Sequence, residues 1–183
     1  MAEAKLDETD AGRVATSDGW FVLNARAARW HHTDRRPAIC DFEGEQEFPQ
    51  LGIHLNVLQP GMPLCRYHWE ADQEDFLVLA GEALLIVEEE ERPLRQWDFV
   101  HCPPRTKHVI VGAGTGPSVI LAVGARVDSV DKPDWGGYPV SEAAARHGAS
   151  VEQETARPEE AYAAWPRRQP TRYRDGWLPE PGS

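Results

Sequence analysis

Long apolar runs are missing from this chain of 183 residues. A membrane-spanning helix needs about 20 consecutive apolar residues, whereas the longest run here, Phe76-Leu77-Val78-Leu79-Ala80, stops at Gly81. Cysteine is scarce: Cys40, Cys65 and Cys102 are an odd number with no C-x-x-C pair, which supports neither a disulfide framework nor a cysteine zinc site. Positive charge is short as well. Nineteen Lys and Arg face 30 Asp and Glu, for a net charge of −11, so the chain lacks an electrostatic grip on nucleic acid or anionic lipid. Neither a nucleic acid nor a membrane is expected as a partner. The first twenty residues carry acids but no apolar h-region, so no secretory signal is expected. With unpaired cysteines, that points to a reduced, cytoplasmic protein.

What is present reads as globular. Apolar residues make up 41% and charged residues 27%, a balance unlike that of a disordered chain. The length suits one domain, which at this size buries roughly 70% of its unfolded surface. Residues 1–19 are polar and aperiodic and read as a flexible N-terminal tail. From Trp20 to Arg126 short apolar runs alternate with turn residues. The predicted strands are Trp20–Leu23, Ala38–Phe42, Leu51–Leu58, Cys65–Trp69, Glu74–Ala80, Glu82–Val87, Phe99–Cys102, Lys107–Val111 and Ser118–Val123. Pro60-Gly61, Gly81, Pro103-Pro104 and Gly112-Ala113-Gly114 punctuate them. Many short strands without helical periods predict an all-β sandwich or small barrel. The acidic block Glu88–Glu91 reads as a solvated hairpin tip, and His31-His32 as a surface loop.

After Val127 the pattern fades, because prolines from Pro133 to Pro181 forbid long regular elements. Two short helices are predicted. One is Ser141–His147, with Ser141 as N-cap and Gly148 past its end; the other is Pro158–Trp165, with Pro158 at its first position. Trp135, Tyr138, Tyr162, Trp165, Tyr173 and Trp177 are too many aromatics for a free tail. Residues 127–183 are therefore expected to pack on the barrel or on a second copy of the chain.

Two segments carry chemistry. In Gly61-Met-Pro-Leu-Cys-Arg-Tyr-His68-Trp-Glu70-Ala-Asp-Gln-Glu74, a strand would point His68 and Glu70 to one face, and Tyr67 and Trp69 to the other. Tyr67 and Trp69 read as core or interface aromatics. Glu74 follows a short turn. In Trp97-Asp-Phe-Val-His101-Cys102-Pro103-Pro-Arg105-Thr-Lys-His108, the proline pair makes a turn and a hairpin can return His108 beside His68. Elsewhere, Leu51, Ile53, Leu55 and Val57 alternate with Gly52, His54, Asn56 and Leu58. If the apolar set packs between layers, His54 and Asn56 line the pocket. His101 and Cys102 face opposite ways, so they cannot form a nucleophile–base pair; His101 is the candidate lining residue.

These spacings resemble the cupin superfamily. Its first motif has a glycine, a His-x-His pair, a glutamate, six residues and a glycine; its second has a glycine, a proline, a further glycine and a histidine. His68, Glu74 with six residues before Gly81, Pro103, and His108 five residues later match. Glu70 stands at the second histidine, Trp97 and Arg105 replace the two glycines of the second motif, and Gly112 stands where an asparagine is often found. The resemblance implies a double-stranded β-helix, a jelly-roll barrel over residues 20–126, with a short, partly helical extension. It implies one divalent transition metal (Fe, Mn, Ni or Zn) held by His68, Glu70, Glu74 and His108. Imidazole and carboxylate together suit these ions. Glu70 is alternatively an acid orienting a histidine, a salt-bridge partner of Arg66 or Arg105, or a catalytic general base with a raised pKa.

Three functions follow from the resemblance. The first is a metal-dependent enzyme acting on a small sugar- or carboxylate-like substrate by Lewis-acid/enolate or oxygenase chemistry. The second is a non-catalytic small-ligand-binding or storage module, and the third a metal-free sugar isomerase or epimerase. The resemblance also implies a homodimer. No cluster of Lys and Arg in the sequence around the motifs marks a phosphate grip.

Overall fold

The computed structural model describes residues 1–44, 47–127 and 132–180; Pro181 lies outside them. Strands dominate: β1 (Leu6–Thr9), β2 (Gly12–Ala15), β3 (Trp30–Thr33), β4 (Arg36–Cys40), β5 (Leu51–Leu58), β6 (Trp69–Glu70), β7 (Glu74–Ala80), β8 (Glu82–Val87), β9 (Glu90–Arg95), β10 (Phe99–Cys102), β11 (His108–Ala113), β12 (Ser118–Ala125), β13 (Gly136–Gly137) and β14 (Gln169–Thr171), with α1 (Glu142–Ala145) and α2 (Pro158–Ala161) after β13. A large sheet runs β10-β7-β12-β5-β4-β3-β14 and a small one β11-β8-β9. Their strands pair antiparallel, and between β7 and β12 the chain crosses repeatedly from one sheet to the other, as in a jelly roll.

Alternation along each strand divides the side chains between a barrel interior and two outer layers. Leu58, Phe76, Val78, Val100, Cys102, Ile120 and Ala122 of the large sheet meet Ala83, Leu85 and Ile110 of the small one in the interior. Leu55 and Val57 face outward and pack with Trp30, Ala38, Cys40 and Trp177. On the outer face of the small sheet, Ile86, Val109 and Val111 are covered by Ala143 and Ala144 of α1. The C-terminal extension thus covers both outer faces of its own barrel, and β14 extends the large sheet beside β3.

Ser141 caps α1, accepting from the Ala144 N–H, and Pro158 opens α2. Both helices are shorter than predicted, a single turn each. The hairpin tip lies at Glu88-Glu89, both with positive φ (47° and 69°); such two-residue turns match strand twist. Glu90 already belongs to β9, where Pro93 is tolerated because the strand is a sheet edge. Glycine is required at Gly112, where a β-carbon would run into the Gln59 carbonyl.

Four expectations are corrected. Residues 1–19 are not a loose tail: β1 and β2 form a hairpin, Arg13 N–H donates to the Ala27 carbonyl at 2.8 Å, and Arg172 pairs with Glu8 at 2.7 Å. Backbone ladders and polar contacts hold this hairpin, and only Ala4 and Val14 bury apolar side chains, so no hydrophobic period announces it. Trp20–Leu23 forms no strand, only a bridge between Trp20 and Glu3. Residues 65–68 form no continuous strand, because their backbone donors go to separate partners: Tyr67 N–H to Ala149, His68 N–H to His108. His31-His32 is not a loop but lies on β3, between β4 and β14.

Candidate metal centre

His68 and His108 are held side by side by backbone. Each N–H donates to the other's carbonyl, at 3.1 and 2.8 Å, and the two rings lie 4.9 Å apart. Glu74, at the start of β7, points into the barrel on the face of Phe76, whose ring is 5.3 Å from His108. Glu74 Oε2 is 3.4 Å from His68 Nε2 and 3.3 Å from His108 Nε2. The donor atoms of His68, Glu74 and His108 all lie within 4.8 Å of one another. The sequence separations are long, yet two antiparallel pairings, the His68–His108 bridge and the β7–β12–β5 ladder, bring the three together.

Both imidazoles are oriented from behind. His68 Nδ1 lies 2.9 Å from the Arg66 carbonyl, and His108 Nδ1 lies 3.0 Å from the Thr106 carbonyl. A carbonyl only accepts, so each Nδ1 carries a proton and each Nε2 is the atom that faces the cluster. Backbone-anchored Nδ1–H groups of this kind orient metal-bound histidines. His108 Nε2 and Glu74 Oε2 are buried without a hydrogen-bond partner. Buried polar atoms are rarely left so, and a divalent ion between them would satisfy both. The donor set therefore fits a first-row transition ion.

Without an ion, the cluster carries charges of both signs. Burial opposes a proton on His108, but the Cys102 and Glu74 side chains facing it prevail and raise its pKa to about 10. Burial opposes it on His68 too, and is outweighed by Cys65, Glu70 and Glu74. For Glu74, burial favours the neutral acid, yet the two imidazoles hold its carboxyl below the usual carboxylate range. Metal binding here would displace protons from the imidazoles.

Glu70 borders this cluster. It sits on β6, its side chain 32% exposed, with Oε1 3.6 Å from His68 Nε2. Its carbonyl accepts from the Arg105 N–H at 2.7 Å, while the Arg105 guanidinium stacks over Trp69 at 5.0 Å. Neither Arg66 nor Arg105 forms a salt bridge with Glu70 among the described residues. His54 and Asn56 lie on the barrel-facing side of β5 with Leu58. Burial pushes the His54 pKa down, against the pull of Asp41 and Glu43. Asn56 is 1% exposed, and its Nδ2 has no hydrogen-bond partner.

His101, expected to line the pocket, points the other way. Its ring is half exposed and pairs with Asp75 at 2.7 Å on the outer surface, while Cys102 occupies the interior. Strand parity required that one of the two face outward; the hydrophobic interior took the cysteine.

Two neighbours of the cluster escaped the sequence reading. Cys65 Sγ lies 3.6 Å from His68 Nδ1, which a regular strand would forbid because residues three apart face opposite sides. The bend over residues 65–68 allows it. Tyr138 stacks on His68 at 6.0 Å. It is delivered by β13, whose Gly136 and Gly137 pair with Glu70 and Trp69; a β-carbon at Gly136 would lie 2.6 Å from the Trp69 carbonyl oxygen. The Gly136-Gly137-Tyr138 triplet was the available signal, though its partner strand is far away in sequence.

Comparison with known proteins agrees with this geometry. Residues 54–124 match the family model described as cupin domain, and no curated protein matches the chain. Among solved structures, a candidate sugar phosphate isomerase from Acidithiobacillus ferrooxidans is 34% identical over 43% of this chain and 52% of its own, with a TM-score of 0.42. A sugar phosphate isomerase of the cupin superfamily from Silicibacter pomeroyi is 24% identical over 50% of this chain and 60% of its own, with a TM-score of 0.46. A cupin 2 conserved barrel domain protein from Salinispora arenicola is 20% identical over 59% of this chain and 89% of its own, with a TM-score of 0.47. The chain spans about half to three-fifths of the length of the first two. The matched segment runs from His54 to Gly124 and contains every member of the His68–Glu74–His108 cluster, so over this segment the chain is similar to the cupin domain.

Proposed function

We propose that this protein is a metal-dependent enzyme acting on a small polar, sugar- or carboxylate-like substrate. One observation carries the reading: His108 Nε2 and Glu74 Oε2 are buried without a hydrogen bond and lie within 4.8 Å of each other and of a donor atom of His68. A divalent transition ion bound there would supply Lewis-acid polarisation of a substrate oxygen. His68, Glu74 and His108 would hold it through Nε2, Oε2 and Nε2. Glu70, partly exposed beside His68, is placed to accept a proton from substrate and return it. The Tyr138 ring, 5% exposed over His68, keeps water from that side. The likeness to two proteins described as sugar phosphate isomerases favours proton transfer next to a carbonyl over oxygenase chemistry.

Metal analysis of the purified chain tests this. About one equivalent of Fe, Mn, Ni or Zn is expected, lost in His68→Ala and in His108→Ala. Full occupancy surviving both changes overturns the reading. Glu70→Gln is expected to keep the metal and lose isomerase turnover of sugar phosphates; a lost metal would make Glu70 a ligand instead.

A further inference from the structure

A cluster of arginines stands behind the metal centre. Arg36 comes from β4, Arg66 from the segment before His68, and Arg168 from the C-terminal extension. Two of them stand over Tyr162 and Trp165: the Arg36 guanidinium lies 5.1 Å from the Tyr162 ring and 5.3 Å from the Trp165 ring, and that of Arg66 lies 4.5 Å from Trp165. The cluster adjoins the site. Tyr162 packs edge-on against Tyr138 at 5.6 Å, and Tyr138 stacks on His68.

The three arginines are used differently. Arg66 is a clamp: its Nε donates to the Ala161 carbonyl and its Nη1 to those of Gly148 and Ser150, at 2.8–3.1 Å. Among the described residues Arg168 donates only Nε, to the Pro37 carbonyl at 2.9 Å. The Arg36 side chain makes no hydrogen bond among the described residues, and its Nε is buried. A guanidinium has five N–H donors, and a buried donor without an acceptor is costly. No carboxylate pairs with Arg36 or Arg168 among the described residues, although the chain carries 30 acids. Burial, followed by the nearby Arg36, pushes the Arg168 pKa down to about 10. Two cations next to each other, with donors to spare and no anion between them, describe half of an ion pair.

We propose that Arg36 and Arg168 form an anion subsite that takes the phosphate of a phosphate-monoester substrate. The proposal deepens the functional reading above and rests on it for the substrate's reacting end. Two neighbouring guanidinium groups without a carboxylate partner suit a dianion with three terminal oxygens better than a monocarboxylate. Both arginines lie outside residues 54–124, the segment matched to the cupin family. The subsite is thus an addition made by this chain's own β4 and extension.

Calorimetric titration of inorganic phosphate into the full chain, both as purified and after chelation, tests it. The expected result is binding at roughly millimolar concentration, weakened about tenfold by Arg36→Gln and by Arg168→Gln, and largely kept in Arg168→Lys. Metal content is expected to stay unchanged in all three. His68→Ala and His108→Ala are expected to bind phosphate as the wild type does, so a failure of the metal reading leaves this result standing. Unweakened binding in both glutamine variants, or acetate binding as tightly as phosphate, overturns the proposal. Because those variants could misfold, phenylglyoxal labelling of the unaltered chain gives a second readout. Phosphate is expected to slow modification of Arg36 and Arg168 and not of exposed Arg92; equal rates with and without phosphate overturn the proposal.

Discussion

At the residue scale, Trp97 and Arg105 hold backbone conformations that suit glycine. Their φ angles are 76° and 71°, and they stand where the resemblance expects the two glycines of the second motif. A left-handed conformation costs a residue with a β-carbon about 1–2 kcal/mol. Arg105 gains a stacking contact with Trp69, whereas Trp97 is 67% exposed. Trp97→Gly is therefore expected to raise stability by about 1 kcal/mol, read as a higher urea midpoint; a lower midpoint would show that the indole matters to packing. His54 gives a pH signature. Burial lowers its pKa, so the fold keeps it neutral while the unfolded chain takes a proton near pH 6.5. Stability from this group is present above that pH and is lost as pH falls below it. Relative to His54→Gln, the wild type is expected to lose stability between pH 7.5 and 5.5, by at most about 1.4 kcal/mol per pH unit. Denaturation curves at both pH values check this, and a constant difference would mean that His54 is solvated. His68, Glu74 and His108 were legible at this scale because motif spacing is local. The outward turn of His101 was not, because strand parity gives two choices and only the interior makes one of them favourable.

At the element scale, strands marked by apolar alternation or by a short apolar run between turn residues matched their sequence bounds: Leu51–Leu58, Glu74–Ala80, Glu82–Val87 and Phe99–Cys102. Elements without an apolar period did not announce themselves. The β1–β2 hairpin and β9 are polar, and β6 and β13 have two residues each. The extension behaves as a layer of the barrel. Trp177 is 8% exposed and packs 5.1 Å from Trp30, so Trp177→Ala is expected to destabilise the fold by about 3 kcal/mol. Chemical denaturation would show it, and a change under about 0.5 kcal/mol, the usual range at surface positions, would mean that the extension is a loose attachment.

At the scale of the whole molecule, an ion bound to the fold and not to the unfolded chain adds stability by mass action. Chelation is expected to lower Tm by several degrees, since about 1 kcal/mol moves Tm by roughly 2–4 °C at this size. In His68→Ala the chelator is expected to change nothing. A wild-type Tm indifferent to chelator would leave the cluster a structural ion pair. The same scale separates what the chain's order of residues decides from what the fold decides. Alternation, turn residues and the spacing within each of the two motifs pointed to the strands, the antiparallel barrel and the three donors of the candidate centre, because each motif is local, although the bridge that joins His68 to His108 is not. Tyr138 over His68, and Arg36 beside Arg168 around Tyr162, depend on contacts between residues tens to more than a hundred positions apart. No local period encodes such contacts. They exist only because the extension folds back across the barrel to bury its aromatic rings.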